Sequence, residues 1–382
     1  MERMTPEVSL TRSARRPRAF RIVVAVAATV LALALAEAAL RLALGARFVP
    51  GPVGQRPQDV LGRWDADLGW SLVTGRATRV FGAGVDYEVT LNSRGFRGPA
   101  HDETPAAGRR RIALLGDSTG FGWGVDDDAT FAARLERDAS LASDVVNLCV
   151  PGYSTDQELW TLEREAARVR PDLVLLQFSP NDVEGNDTTF AHRMVKPRFV
   201  LGPQGAWRID NRPAASFVPV GVEPVTWDER TFSRSALWQV ISGRVPLLAP
   251  TRGPAIDAVA GGAARFTRER FGPDTATRHA FTLLVARCRD LGVPFAAFAV
   301  PPLGEPDAPG ANDGFLYLPG RLLAELGRDA GFPVISLDAA FHDVWRAGRS
   351  VTVPDGHWNA EGHRIAADSL APRLRELLDR RR

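Results

Sequence analysis

Apolar residues along the chain fall into two patterns. Short, nearly unbroken blocks stand at Ile112–Leu115, Val145–Cys149, Leu173–Phe178, Pro294–Val300 and Val334–Leu337, and their length predicts five buried strands. Between and after them, apolar positions recur every three or four residues, which predicts helices over about 129–139, 156–169, 276–290 and 319–329. A last helix is expected from Asn359, a good N-cap residue, to about Leu378, with Ile365, Ala366 and Leu370 at helical spacing. Strands separated by helices of about 10 to 15 residues imply right-handed parallel βαβ units.

This rhythm starts at Arg111 and breaks once. Residues 45–109 are rich in glycine, proline and polar residues and hold one convincing strand, Asp86–Asn92, so a small β-rich segment is expected ahead of an α/β domain at 110–382. Residues 186–272 read as an insertion into that domain. They contain a hairpin of Arg198–Leu201 with Ala206–Ile209, then proline-punctuated sequence and a short helix near 233–241.

Ile22–Leu40 is apolar except for Thr29 and Glu37, and at about 1.5 Å per residue it reaches roughly 28 Å, close to a hydrocarbon core of about 30 Å. Ahead of it, residues 1–21 hold six arginines against Glu2 and Glu7. The positive-inside bias keeps this tail in the cytoplasm and exports the rest, so 22–44 is expected to be a single-pass signal anchor. The rival is a cleaved signal peptide ending at Ala34-Leu35-Ala36, and the unbroken helix-forming run Glu37–Leu42 favours the anchor.

Composition adds one exclusion. The formal net charge is +2, of which the basic tail contributes +4, so the remainder is near −2 and nucleic-acid binding is disfavoured. Cys149 and Cys288 lie in apolar runs and are expected as small buried hydrophobes rather than as a disulfide.

The chemistry concentrates where the first strand stops. Ser118, in Gly116-Asp117-Ser118-Thr119-Gly120, stands at a strand-to-helix turn on the carboxyl edge of the sheet, where open α/β folds place ligands. A serine hydroxyl needs a base, and the base needs an orienting acid. Asp355 and His357 share one loop before the last helix and supply both. Gly152 follows the second strand and Asn181 the third; with the Ser118 N–H they make three candidate donors for an oxyanion. The bland alternatives are a turn glycine at 152 and an Asx-turn residue at 181.

Other motifs carry less. Gly116–Gly120 also satisfies the G-x-S-x-G elbow of α/β-hydrolases, but here the serine follows the first strand and its two partners share a loop. No His, Cys and carboxylate cluster has metal-ligand spacing, and the glycine-rich run 120–124 lacks the lysine of a phosphate loop. Asp117 is expected to stabilise the turn, Asp126-Asp127-Asp128 to cap the helix at Ala129, and His363 to be structural or surface. Trp123 and Trp358 flank nucleophile and base and are candidates for binding sugar faces, with core packing the equal alternative.

The GDS at Ser118, the glycine of VPGYSTDQE at Gly152, the asparagine of PND at Asn181 and the D-x-H of PDGHWNAEGH resemble, in order and spacing, the four blocks of the SGNH (GDSL-type) hydrolases. The resemblance covers about residues 85–375. It implies a three-layer α/β/α flavodoxin-like domain with a central parallel five-stranded sheet, hydrolysis of an acyl ester, a Ser118–His357–Asp355 triad with Ser118, Gly152 and Asn181 around the oxyanion, and no cofactor. NSRGFRG, FGWGVDDDATFAARLE and KPRFVLGPQGAWRI look like the membrane-anchored bacterial members found in envelope or polysaccharide settings. With the topology expected above and the pair Trp123 and Trp358, an O-acylated envelope glycan is the expected substrate, met by a catalytic domain outside the cytoplasmic membrane. Two departures stand out. Thr119 replaces the usual leucine, and one residue instead of two separates acid from base, a form similar to alginate-type O-acetyltransferases. Acyl transfer therefore stays open beside hydrolysis, as does a non-catalytic glycan-binding or scaffold member of the family.

Overall fold

The computed structural model describes residues 18–44, 61–82, 85–191, 194–202, 206–212, 235–241, 272, 274–301 and 318–380. Its first helix, α1 (Arg18–Leu44), contains one stretch, Phe20–Ala43, long and apolar enough to cross a membrane, as N-terminal signal sequences also are. The basic tail up to residue 17 lies outside the described residues.

Two antiparallel hairpins follow, β1 (Gly62–Asp65) with β2 (Gly69–Leu72) and β3 (Arg76–Gly82) with β4 (Val85–Leu91). β4 is the strand legible in the sequence because Val85, Tyr87, Val89 and Leu91 point inward and alternate with exposed residues. Its partner carries Arg79, which pairs outward with Asp86 and Glu88, and shows no comparable apolar alternation.

The α/β rhythm then runs β5 (Arg110–Leu115), α2 (Ser118–Phe121), α3 (Phe131–Arg137), β6 (Ser143–Asn147), α4 (Thr155–Val169), β7 (Leu173–Phe178) and α5 (Asn181–Asn186). Within the expected insertion come β8 (Phe190–Ala191), β9 (Met194–Val195), the hairpin β10 (Arg198–Leu201) with β11 (Trp207–Asp210), and α6 (Ala236–Ile241). The domain resumes with α7 (Ala276–Asp290), β12 (Phe295–Ala299), α8 (Leu318–Ala330), α9 (Asp338–Arg346) and α10 (Ala360–Asp379).

The central sheet is parallel, in the order β6-β5-β7-β12. The chain winds from β5 to β6 on one side and then to β7 on the other, so the strand order reverses beside β5, at the carboxyl ends of β5 and β7, where open α/β folds place ligands. The fifth strand expected at Val334–Leu337 is reduced to one bridge, Val334 beside Ala297. The Ala297 N–H donates to Pro333 O and the Ile335 N–H to Ala297 O, at 3.1 and 2.9 Å. Pro333 has no N–H to extend the ladder backward, and α9 begins at Asp338, so the segment holds the fifth position without becoming a strand.

Alternate strand residues face opposite layers. Ile112, Leu114, Leu173, Leu175 and Phe298 pack with α3, α9 and α10, and also with the buried face of β4, so the β-rich segment shares a core with the sheet. Ala113, Leu115, Val174, Leu176 and Ala297 pack with α4, α7 and α8. This is the three-layer α/β/α arrangement.

Helix ends follow local chemistry. The Asn359 side chain accepts the Glu361 and Gly362 N–H groups, as expected of the N-cap. The acidic run does not cap α3. Thr130 does, accepting the Ala133 N–H, while Asp127 pairs with Arg97 and Asp126 accepts the Glu88 N–H. The acidic side chains are drawn away because buried Arg97 and the end of β4 present donors that an N-terminal helix dipole would not outcompete.

Candidate active site

Ser118 opens α2 directly after β5, and the turn that presents it is held by polar groups beneath it. The Asp117 side chain accepts the Thr119 N–H, and the Asp117 carbonyl accepts the Phe121 N–H. Gln177, a buried polar residue inside β7, accepts the N–H groups of Asp117 and Gly120 on its amide oxygen, at 3.2 and 2.7 Å, and donates to Ser179 Oγ. Asn147 reaches from β6 to the Gly120 carbonyl. With Thr119, Gly120 and Phe121 occupied, the remaining N–H of this helical turn is that of Ser118.

A Cβ at Gly120 would lie 2.5 Å from Cys149 Sγ and 2.9 Å from Gln177 Oε1, so only glycine lets α2 approach the strands this closely. Cys149 and Cys288 are free and buried, and burial pushes both thiols up, Cys288 to about 12. Neither is a reactive thiol.

On the loop before α10, His357 Nε2 lies 2.8 Å from Ser118 Oγ across 239 positions of sequence. His357 Nδ1 lies 3.0 Å from Asp355 Oδ1, and the His357 backbone N–H donates to the same oxygen at 3.1 Å. A carboxylate accepts only, so Nδ1 carries the proton and Nε2 is left to accept from the serine hydroxyl. Burial by itself raises the Asp355 carboxyl, but the hydrogen bond and charge of His357, its backbone N–H and the Trp123 indole N–H together hold it below the usual carboxylate range.

Trp123 sits where the sequence put it, close in the chain to Ser118, and meets both Asp355 and His357. Its Nε1–H donates to Asp355 Oδ2 at 2.7 Å, and its ring stacks on His357 with centroids 5.3 Å apart. Trp358, the other candidate for a sugar face, is 2% exposed. It packs among Phe131, Phe298, Phe341 and His363, so its indole face is core and cannot meet a ligand. His363 belongs to the same cluster: its Nδ1 accepts the Phe131 N–H, and burial drives its pKa down to about 3.

Gly152 is buried in the turn after β6, at φ +82°, a backbone state that disfavours any side chain. Asn181 begins α5 and is exposed, and its amide donates to Asp117 Oδ2 at 3.3 Å, on the residue before Ser118.

Two supporting residues escaped the sequence reading. Gln177 looks like one more residue of a strand, and Arg97 like a surface arginine in a turn. Arg97 is buried; it pairs with Asp127 and donates to the carbonyls of Glu88, Phe121, Gly122 and Val125, clamping the loop that follows α2. A polar residue within an apolar block was the available signal for Gln177; for Arg97 there was none.

Residues 114–365 match the GDSL-like Lipase/Acylhydrolase family. No curated protein matches the sequence. Among solved structures, an enzyme from the Lake Arreo metagenome, described as an alpha/beta hydrolase, is 13% identical, with 73% of this chain and 99% of that one covered at a TM-score of 0.40. A catalytic mutant of an acetylxylan esterase from Geobacillus stearothermophilus is 12% identical, covering 71% and 96% at 0.39. A member of the lipolytic G-D-S-L family from Veillonella parvula is 12% identical, covering 69% and 96% at 0.38.

Proposed function

The chain belongs to the GDSL-like lipase/acylhydrolase family and is an ester hydrolase of the SGNH type, and from that premise we propose that Ser118 is its nucleophile, His357 its general base and Asp355 the group that orients the base. The observation that carries this reading is the unbroken chain from Ser118 Oγ to His357 Nε2 and from His357 Nδ1 to Asp355 Oδ1. In it, Ser118 Oγ attacks the acyl carbonyl as its proton passes to Nε2. The resulting imidazolium protonates the leaving alkoxide, and water, activated by the same nitrogen, releases the acid from Ser118. The Ser118 N–H, the Gly152 N–H and the Asn181 amide stabilise the oxyanion, and loss of one such donor typically costs about 10²- to 10³-fold in rate.

The substrate is an O-acylated glycan of the bacterial envelope, reached by a catalytic domain on the outer side of the cytoplasmic membrane. With Trp358 in the core and the Trp123 indole N–H bound to Asp355, this part of the proposal rests on the N-terminal span and the basic tail. The Glu37 carboxylate accepts from Ser235 Oγ and from the Ala236 and Leu237 N–H groups at 2.8 to 2.9 Å, a contact between α1 and the start of α6. Acyl transfer to a glycan hydroxyl uses the same residues, and the one-residue spacing of Asp355 and His357 favours it as the second reading.

The test is labelling with a fluorophosphonate and hydrolysis of p-nitrophenyl acetate. Wild type is expected to be labelled at Ser118 and to hydrolyse the ester, and Ser118→Ala to do neither; an unlabelled, inert wild type overturns the reading. Acetate released from an acetylated glycan in water, against acetyl moved to an added glycan acceptor, separates hydrolysis from transfer.

A further inference from the structure

Of the 47 lysines and arginines in the chain, only Lys196 is a lysine. It follows β9 at the start of the insertion, and its side chain and that of Asp156 are both 0% exposed. The ammonium donates to Asp156 Oδ2 at 2.5 Å and to the Gly185 carbonyl at 2.7 Å. Asp156 lies in the first turn of α4, four residues after Gly152; Gly185 lies in α5, four residues after Asn181. One compact point charge thus bridges the two elements that carry the second and third proposed oxyanion donors. The fork of a guanidinium is larger and differently aimed.

The junction has little slack. The Asp156 N–H donates to Asn186 Oδ1 at 3.0 Å, and a Cβ on Gly185 would fall 1.8 Å from Ser154 Oγ. The Gly152 turn is also gripped from the β-rich segment: Trp70 Nε1–H donates to Pro151 O, Tyr153 OH to Trp70 O and Gln157 Nε2–H to Leu68 O. Among the described residues, α5 is held through Asn181 to Asp117, through Asn186 to Thr277 and Asp156, and through Gly185 to Lys196, so the distance between the two donors depends in part on the α4–α5 junction. Lys196 is the cation there, facing Asp156, with Glu158 and Asp182 also fully buried nearby. Taking the ammonium away leaves a buried carboxylate without its partner, which typically loosens or unfolds its surroundings.

We propose that Lys196 is a positioning residue for the oxyanion site, fixing the Asn181 helix against the Gly152 turn. The inference rests on the oxyanion roles proposed above. The experiment uses the full-length chain in detergent and compares Lys196→Met, which keeps the length of the stem, with wild type. For p-nitrophenyl acetate, kcat is expected to fall about 10- to 100-fold with KM within about twofold, because only the transition state loses an aligned donor. The labelling rate by fluorophosphonate should fall by a similar factor. The double variant K196M/N181A should be no slower than N181A within about threefold, since both act on one donor.

A lowered melting temperature with unchanged kcat, or losses in kcat that multiply in the double variant, overturns the inference and leaves the triad standing. An inert, unlabelled wild type instead defeats the triad reading itself. Should K196M fail to fold, D156N/K196M, which removes the Asp156 charge together with its ammonium partner, takes its place with the same expected and overturning results.

Discussion

Trp123 and Asp355, 232 positions apart, meet in a 2.7 Å hydrogen bond from the indole N–H to the carboxylate oxygen that His357 does not use. The acid of the candidate triad is thereby held at both oxygens, one by His357 and one by Trp123, while the indole ring covers the imidazole. A short D-x-H loop lets the acid approach the base from within the same turn, and Trp123 supplies a hold from outside it.

Trp123→Phe keeps a ring against His357 and removes the donor. Because that donor is one of the groups holding the Asp355 carboxyl below its usual range, its loss moves the carboxyl upward. Asp355 must be ionised to hold the Nδ1 proton, so the loss of activity on acidification should begin at a higher pH in the variant. At neutral pH kcat/KM should fall by about 3- to 10-fold, as for one hydrogen bond to a charged group in a partly exposed site. The measurement is the pH profile of p-nitrophenyl acetate hydrolysis; an acid limb that coincides with wild type refutes the role.

His363 contributes to acid stability through a depressed pKa of its own. It is neutral when folded, with a pKa near 3, and takes up a proton near 6.5 when unfolded. Between those values the unfolded chain binds more protons, so stability is full above about pH 6.5 and is lost as pH falls toward 3, by up to a few kcal/mol. His363→Asn, whose amide oxygen can accept the Phe131 N–H, should flatten that dependence while lowering stability at pH 8 through poorer packing against Phe131 and Trp358. Urea melts at pH 5 and pH 8 read the difference, and equal slopes in both proteins contradict the assignment.

Gly120→Ala introduces a Cβ where Cys149 Sγ and Gln177 Oε1 already stand. Relief by shifting α2 would move Ser118, so about 1–3 kcal/mol of stability and at least tenfold in kcat should be lost together. The second variant G120A/C149A removes the nearer clash and should recover part of both, measured by thermal melts and initial rates. A double variant as impaired as the single one shows that the crowding lies elsewhere.

Much of this molecule was legible one residue at a time. Unbroken apolar blocks marked β5, β7 and β12 because strands covered on both faces have no polar side to show. Asn359 announced α10 because its cap is local, and the GDS and D-x-H blocks announced Ser118, Asp355 and His357 because the chemistry requires those residue types.

What the tertiary structure decided was the fate of groups whose partners are distant in sequence. Two tryptophans next to the site looked alike along the chain; one faces Asp355 and the other closes a core of phenylalanines. Val334–Leu337 had the composition of a strand, and a proline before it and a helix after it left a single bridge. Arg97 and Lys196 carry no local pattern, and Gln177 only that of a polar residue inside an apolar block, because a buried polar side chain is defined by which partner meets it, and those partners arrive only when layers pack. Sequence alone determined which residues are candidates to react and where most elements lie, since both depend on neighbours within a few positions; the packed layers determined what holds Ser118, His357 and Asp355 in place.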